Sequence, residues 1–164
     1  PGTWFTDKSK AFGGVSRDLL PHLMSIMMSV NKNTYQDFKV KQYHTEQRWN
    51  LSDCTGTDYG VVNKNGVYDV DDSATMELTD GNKTYILYAN WKNNLHDDMA
   101  IHFYKDGESH LESISLGLCP EQAYEEMIKN SLIHLEDDMF WNKQLEQDLY
   151  IQEKINDTSK DIIH

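Results

Sequence analysis

A chain of 164 residues and 19.1 kDa, 38% hydrophobic and 26% charged with no internal repeat, has the size and composition of one folded domain, which sets aside two-domain enzymes, solenoids and disordered chains. Fifteen Lys plus Arg against 27 Asp plus Glu leave a formal charge of -12, so nucleic-acid phosphates and anionic membrane surfaces are disfavoured as partners. No apolar run approaches the roughly 20 residues that span a bilayer, and the chain opens at Pro1 without a signal-peptide pattern, so the expectation is a soluble, processed chain without membrane insertion.

Taken in order, residues 3–5 read as a short first strand. Residues 23–30 alternate Met24, Ile26, Met28 and Val30 with Leu23, Ser25, Met27 and Ser29, a strand pattern, although the same stretch also has apolar residues at helical spacing, which keeps a helix over 15–30 open. Residues 35–45 follow as a long strand with Phe38, Val40, Gln42 and His44 on one face. Residues 57–63 and 67–78 are joined by the hairpin signal Asn65-Gly66, with a bulge expected near Asp69, Asp71 and Asp72. Asp80-Gly81 turns the chain into residues 83–91, and 99–105 and 111–118 complete the set. About eight strands joined by tight turns predict an all-β, eight-stranded antiparallel up-and-down barrel. Pro120 and Glu121 then open a helix over about 120–136, whose stripe of Tyr124, Met127, Ile128, Leu132 and Leu135 is expected to cover the outside of the barrel. A short strand is expected at 149–151. One domain would span 1–155, with a loose tail over 156–164.

Cys54 and Cys119 lack metal-site or CxxC spacing, which leaves one disulfide or two free thiols. Sequons begin at Asn50, Asn82 and Asn156, with Asn82 beside a turn. Together these favour a secreted glycoprotein with a Cys54 to Cys119 bridge.

Gly2-Thr3-Trp4, Thr79-Asp80-Gly81 leading into Tyr85-Ile86-Leu87-Tyr88, and Cys119-Pro120-Glu121-Gln122 opening a helix after the last strand resemble the lipocalin family. Over roughly residues 2 to 138 the likeness is to its orosomucoid (alpha-1-acid glycoprotein) branch. The resemblance implies Trp4 as a structural plug at the closed end of the barrel. It also implies a lumen lined by Phe38, Val40, Gln42, His44, Leu87, Ala89, Trp91, Ala100, His102 and Tyr104. A family basic residue that packs on the Trp has no clear counterpart, although Lys105 is a candidate, and Cys119 lies before the helix instead of near the C-terminus.

The implied function is a secreted carrier or scavenger of a small hydrophobic or amphipathic molecule, without cofactor, metal or catalytic residues. A secreted modulator that binds a protein partner is the alternative, as is an intracellular fatty-acid-binding type. His96-Asp97-Asp98, Asp69 with Asp71 and Asp72, and Glu136-Asp137-Asp138 are the acidic clusters an enzyme could use, but in turns and at a helix end they read as solvated surface.

Overall fold

A computed structural model describes residues 1–30, 38–55, 61–91, 100–103, 112–115 and 120–160. A 3-10 turn Trp4–Thr6 is followed by helices α1 (Lys8–Ala11), α2 (Val15–Asp18) and α3 (Leu20–Val30). Strand β1 (Lys39–Glu46), a 3-10 turn Leu51–Asp53, and strands β2 (Ser73–Thr79), β3 (Thr84–Asn90), β4 (Ala100–Phe103) and β5 (Glu112–Ser115) come next. Helices α4 (Pro120–Ile133) and α5 (Asp138–Lys160) end the series. The chain divides into two units, Pro1–Lys92 with Gln144–His164, and Asn93–Lys143.

In the first unit β2 is the central strand of an antiparallel sheet ordered β1-β2-β3. Its period of two buries Ala74, Met76 and Leu78 and turns Thr75, Glu77 and Thr79 the other way. The register sets Met76 opposite Leu87 and Ala74 opposite Ala89, so the buried residues of β3 fall on the same face. Between β2 and β3, Asp80 Oδ1 accepts the backbone N–H groups of Asn82 at 2.8 Å and Lys83 at 2.7 Å, which closes a four-residue turn.

Against the buried face lie α3 and the part of α5 from Gln144 onward. Leu20, Met24, Met27 and Met28 from α3 and Ile151 and Ile155 from α5 join Phe38, Met76, Leu78 and Leu87 in one cluster. Positions 20, 24, 27 and 28 make one helical stripe, and 151 and 155 another. Pro21 sits in the first turn of α3, where its missing N–H would have had no helical partner. Met24 is fully buried, so Met24→Ala would cost about 2–5 kcal/mol. In the second unit β4 and β5 form a separate antiparallel pair.

The eight-stranded barrel is therefore corrected to a mixed α/β architecture: among the described residues the largest sheet has three strands and stays open. Two physical choices account for it. Residues 23–30 are helix, because Leu20, Met24, Met27 and Met28 fit one buried stripe of side chains with no branch at Cβ, which lose little rotamer freedom in a helix. Residues 67–72 are not strand, because their polar groups are engaged elsewhere, as set out below. Residues 149–151 belong to α5, where Ile151 and Ile155 are core at a four-residue interval. The expected stripe of Tyr124, Met127, Ile128, Leu132 and Leu135 has no barrel to cover: α4 ends at Ile133, which leaves Leu135 in the turn beyond it, and all five side chains are exposed.

Candidate functional site

Asn65-Gly66 does form a turn, with Gly66 N–H donating to Asn63 O at 2.9 Å, but the described residues on either side of it, 61–63 and 67–72, are not strand. Its polar groups hold the N-terminus instead. Asn63 donates from its backbone to Pro1 O at 3.0 Å and from Nδ2 to Gly2 O at 3.1 Å. Gly2 has φ +77, and a Cβ there would stand 2.1 Å from Asn63 O, so no larger residue fits this seam. Thr6 Oγ1, buried, accepts Gly2 N–H at 2.8 Å and donates to Val67 O at 2.7 Å.

The three aspartates that follow are latches. Asp69 Oδ1 accepts the Lys8 N–H at 2.7 Å. Asp71 accepts Gly14 N–H at 3.0 Å on one oxygen and Ser16 N–H at 2.8 Å on the other, across the start of α2. A Cβ on Gly14 would lie 1.7 Å from Asp71 O, so the two backbones meet only with glycine there. Asp72, with no exposed surface, accepts Arg48 N–H at 3.0 Å, Trp49 N–H at 2.9 Å and Tyr68 O–H at 3.1 Å. Burial first, and the Asp72 charge second, hold the Tyr68 phenol above the usual tyrosine value. Reading this cluster as solvated surface holds for the exposed Asp69 and is corrected for the partly buried Asp71 and the buried Asp72, whose carboxylates take up N–H groups of the α2 start and of the Arg48–Trp49 loop.

These latches fix a ledge of aromatic rings. Trp4 and Phe5 project from the pinned 3-10 turn. Phe5 stacks on Trp91 at 4.6 Å between centroids and 27° between planes, and Trp4 meets Phe5 edge-on at 5.7 Å. Trp91 is anchored below by the cluster of Val15, Ala74 and Ala89, and its Nε1 donates to Asp18 Oδ2 at 2.8 Å. Trp4 is 64% exposed, so it plugs nothing; its role as a barrel plug falls with the barrel. Phe12, at φ +61 after α1, is 78% exposed. A bulky residue in the left-handed region stores strain without burying its ring.

The ten lumen positions disperse. Phe38, Leu87 and Ala89 are core, and Val40 packs against it. A bulge between Val40 and Gln42 inverts the alternation of β1, so Tyr43 faces inward while Gln42 and His44 face out. Trp91 joins the ledge. Ala100 and His102 fall on β4, opposite Ser115 and Ser113, and Tyr104 lies outside the described residues.

On the open sheet face His44 pairs in register with Thr75, which is opposite Tyr88. Tyr88 Oη accepts from Asn90 Nδ2 at 3.1 Å and Arg48 Nη1 at 3.4 Å, and Arg48 Nε donates to Glu46 at 2.7 Å. Partial burial works to raise the Tyr88 pKa, but the Asn90, Ser73 and Arg48 donors outweigh it and hold the phenol below its ordinary value. A groove of about 310 Å³ lies between α3 and α5, lined by Pro21, His22, Ser25, Asp148, Ile151 and Gln152, with Ser25 already accepting from Gln147.

Cys54 is a free thiol that donates to Asn50 O at 3.5 Å, and Cys119 lies outside the described residues. Asn82 is exposed on the β2–β3 turn, Asn50 opens a 3-10 turn in a capping box with Asp53, and Asn156 lies on α5, where it accepts from Arg17. Of the other acidic clusters, Asp137 caps α5 through the Phe140 N–H at 3.0 Å, and His96-Asp97-Asp98 lie outside the described residues. Among the described residues no group of His, Cys, Asp and Glu is placed to hold a metal, and no helix is long and apolar enough to cross a membrane.

Sequence reasoning passed over Phe5 and Asp18. The pair Trp4-Phe5 directly before Thr6-Asp7-Lys8-Ser9, a helix-capping pattern, was the available signal for two rings carried on a tight turn; Asp18 had none. Compared with known proteins, the chain matches no family model, no curated protein and no solved structure.

Proposed function

We propose that this chain is a non-catalytic binding protein that takes a small, mostly apolar, planar molecule on the Trp4–Phe5–Trp91 ledge. The observation that supports it is the Phe5–Trp91 stack with Trp4 exposed beside it, carried on a backbone fixed by buried hydrogen bonds. Rings held in place lose little entropy when a ligand covers them, which favours binding. The site is a ledge and not an enclosed lumen, so affinity is modest. At about -0.3 kcal/mol per heavy atom, a ligand of about 20 heavy atoms gains about -6 kcal/mol, a Kd of roughly 40 µM. A flat stack favours conjugated ring systems over flexible alkyl chains.

The test is quenching of intrinsic Trp fluorescence by a panel of retinoids, tetrapyrroles, steroids and saturated fatty acids. Planar members should saturate, and Trp4→Ala or Phe5→Ala should weaken them about tenfold, a loss of about 1.4 kcal/mol, while Trp141→Phe leaves affinity unchanged. Saturation by no member, or equal affinity in Trp4→Ala, refutes the proposal. A second reading, engagement of a basic protein partner, draws on the exposed α4 stripe of Tyr124, Met127, Ile128 and Leu132 beside Glu121, Glu125 and Glu126. Secretion goes with either reading, and glycan at the exposed Asn82 would support it.

A further inference from the structure

Asn65-Gly66 is the one Asn-Gly pair in the sequence. Asn65 is exposed, in the turn that Gly66 N–H closes onto Asn63 O. Asparagine before glycine is chemically unstable, because the following nitrogen has no neighbouring side chain to hinder its attack on the asparagine amide and the glycine backbone turns freely toward it. Here that nitrogen is held. Its N–H donates to Asn63 O at 2.9 Å, and Asn65 N–H donates to Asn63 Oδ1 at 3.2 Å. A Cβ on Gly66 would stand 1.8 Å from Gly2 O and 2.4 Å from Gly2 C, so the two backbones touch and Gly66 has no room to turn while Gly2 is seated. Gly2 is seated in turn by Asn63 Nδ2 on its carbonyl and by the buried Thr6 Oγ1 on its N–H.

We infer that Asn65 is a site of spontaneous deamidation gated by the Gly2 seam: the side-chain amide is lost when the seam opens, and the isoaspartyl product keeps the seam from closing again. In the reaction Gly66 N gives its proton to hydroxide and bonds to Asn65 Cγ, the Cγ–Nδ2 bond breaks, and ammonia leaves with a proton taken from water. Water then opens the cyclic imide at either carbonyl, leaving aspartate or isoaspartate. One amide and one water thus become one carboxylate and one ammonium, with no oxidant or cofactor. The isoaspartyl route runs the main chain through Cβ and Cγ of residue 65. That adds a methylene just before Gly66, where the backbone already lies against Gly2. The product also adds a negative charge to a chain of net charge -12, so anion exchange separates it from the unmodified chain.

Incubation of the full chain at mildly alkaline pH, with peptide mass mapping of position 65, tests this. The folded chain should deamidate there roughly tenfold or more slowly than the chain unfolded in urea, since the seam must first open locally. Thr6→Val removes both the acceptor of Gly2 N–H and the donor to Val67 O, and should speed the reaction severalfold in a chain that circular dichroism shows to be folded. Hydrogen exchange on the purified isoaspartyl form of the wild-type chain needs no variant: the Gly2 and Thr6 amides should lose protection while those of β2 and β3 keep theirs. Equal rates in the folded and unfolded chain, a folded Thr6→Val that reacts no faster than wild type, or unchanged protection of Gly2 in the isoaspartyl form overturns the inference.

Discussion

Asp72→Ala is the sharpest test of the latch. The carboxylate is fully buried and receives the Arg48 and Trp49 backbone N–H groups at 3.0 and 2.9 Å and the Tyr68 hydroxyl at 3.1 Å. Truncation strands both amides at about 1–3 kcal/mol each, whereas the half-buried phenol can turn to water. The expected loss is about 4 kcal/mol, a large share of the 5–15 kcal/mol that holds a typical domain together. Asp72→Asn keeps one acceptor oxygen but turns an N–H donor toward another donor, so it should lose about half as much. Urea unfolding followed by far-UV circular dichroism reads both, with the midpoint moving and the slope unchanged. A loss below about 1 kcal/mol in Asp72→Ala, or equal losses in the two variants, refutes stranded donors as the cause.

Three further outcomes follow from the same geometry. Phe12→Gly should raise stability by about 1 kcal/mol in the same urea assay, because it relieves a left-handed residue whose ring is 78% exposed. Gly14→Ala should cost at least about 2 kcal/mol, since the new Cβ meets Asp71 O at 1.7 Å and forces the latch apart. In acid, Asp137 and Asp7 set the sign: the Phe140 N–H and then His134 hold Asp137 below its ordinary 3.8, and Lys10 and then Ser9 do the same for Asp7. Both groups are depressed in the folded state, so their stabilisation is present above pH 3.8 and is lost as pH falls through the lower folded values. The acid limb of stability against pH should therefore flatten in Asp137→Asn.

How much of this was legible in the sequence differs from segment to segment. Residues 39–46 and 84–90 carried a period of two and are strands, and the Asp80-Gly81 turn joins β2 to β3. The barrel was misread because period-2 alternation in 23–30 coincides with a helical stripe, and only the long-range packing of Met24, Met27 and Met28 on Met76 and Leu87 decides between them. The faces of β1 could not be read past Val40, because a bulge leaves no mark in a pattern of alternating residues. Asp69, Asp71 and Asp72 looked like solvated charge since the N–H groups they satisfy lie 23 to 61 residues away. Of the expected site residues, Trp91 reached the ledge through its core neighbours Val15 and Ala89; its partner Phe5 is 86 positions away in the chain, beyond any local spacing rule.

The central claim, that ligand is taken on a ledge of Trp4, Phe5 and Trp91, is tested most directly by the indole N–H signals in a ¹H–¹⁵N correlation spectrum. The chain has four tryptophans, Trp4, Trp49, Trp91 and Trp141, and so four such probes. Titration with a planar aromatic ligand should move the Trp4 and Trp91 signals together along one saturating curve while Trp49 and Trp141 stay still. Movement confined to Trp49 or Trp141, or no movement of Trp4 at saturation, would contradict it.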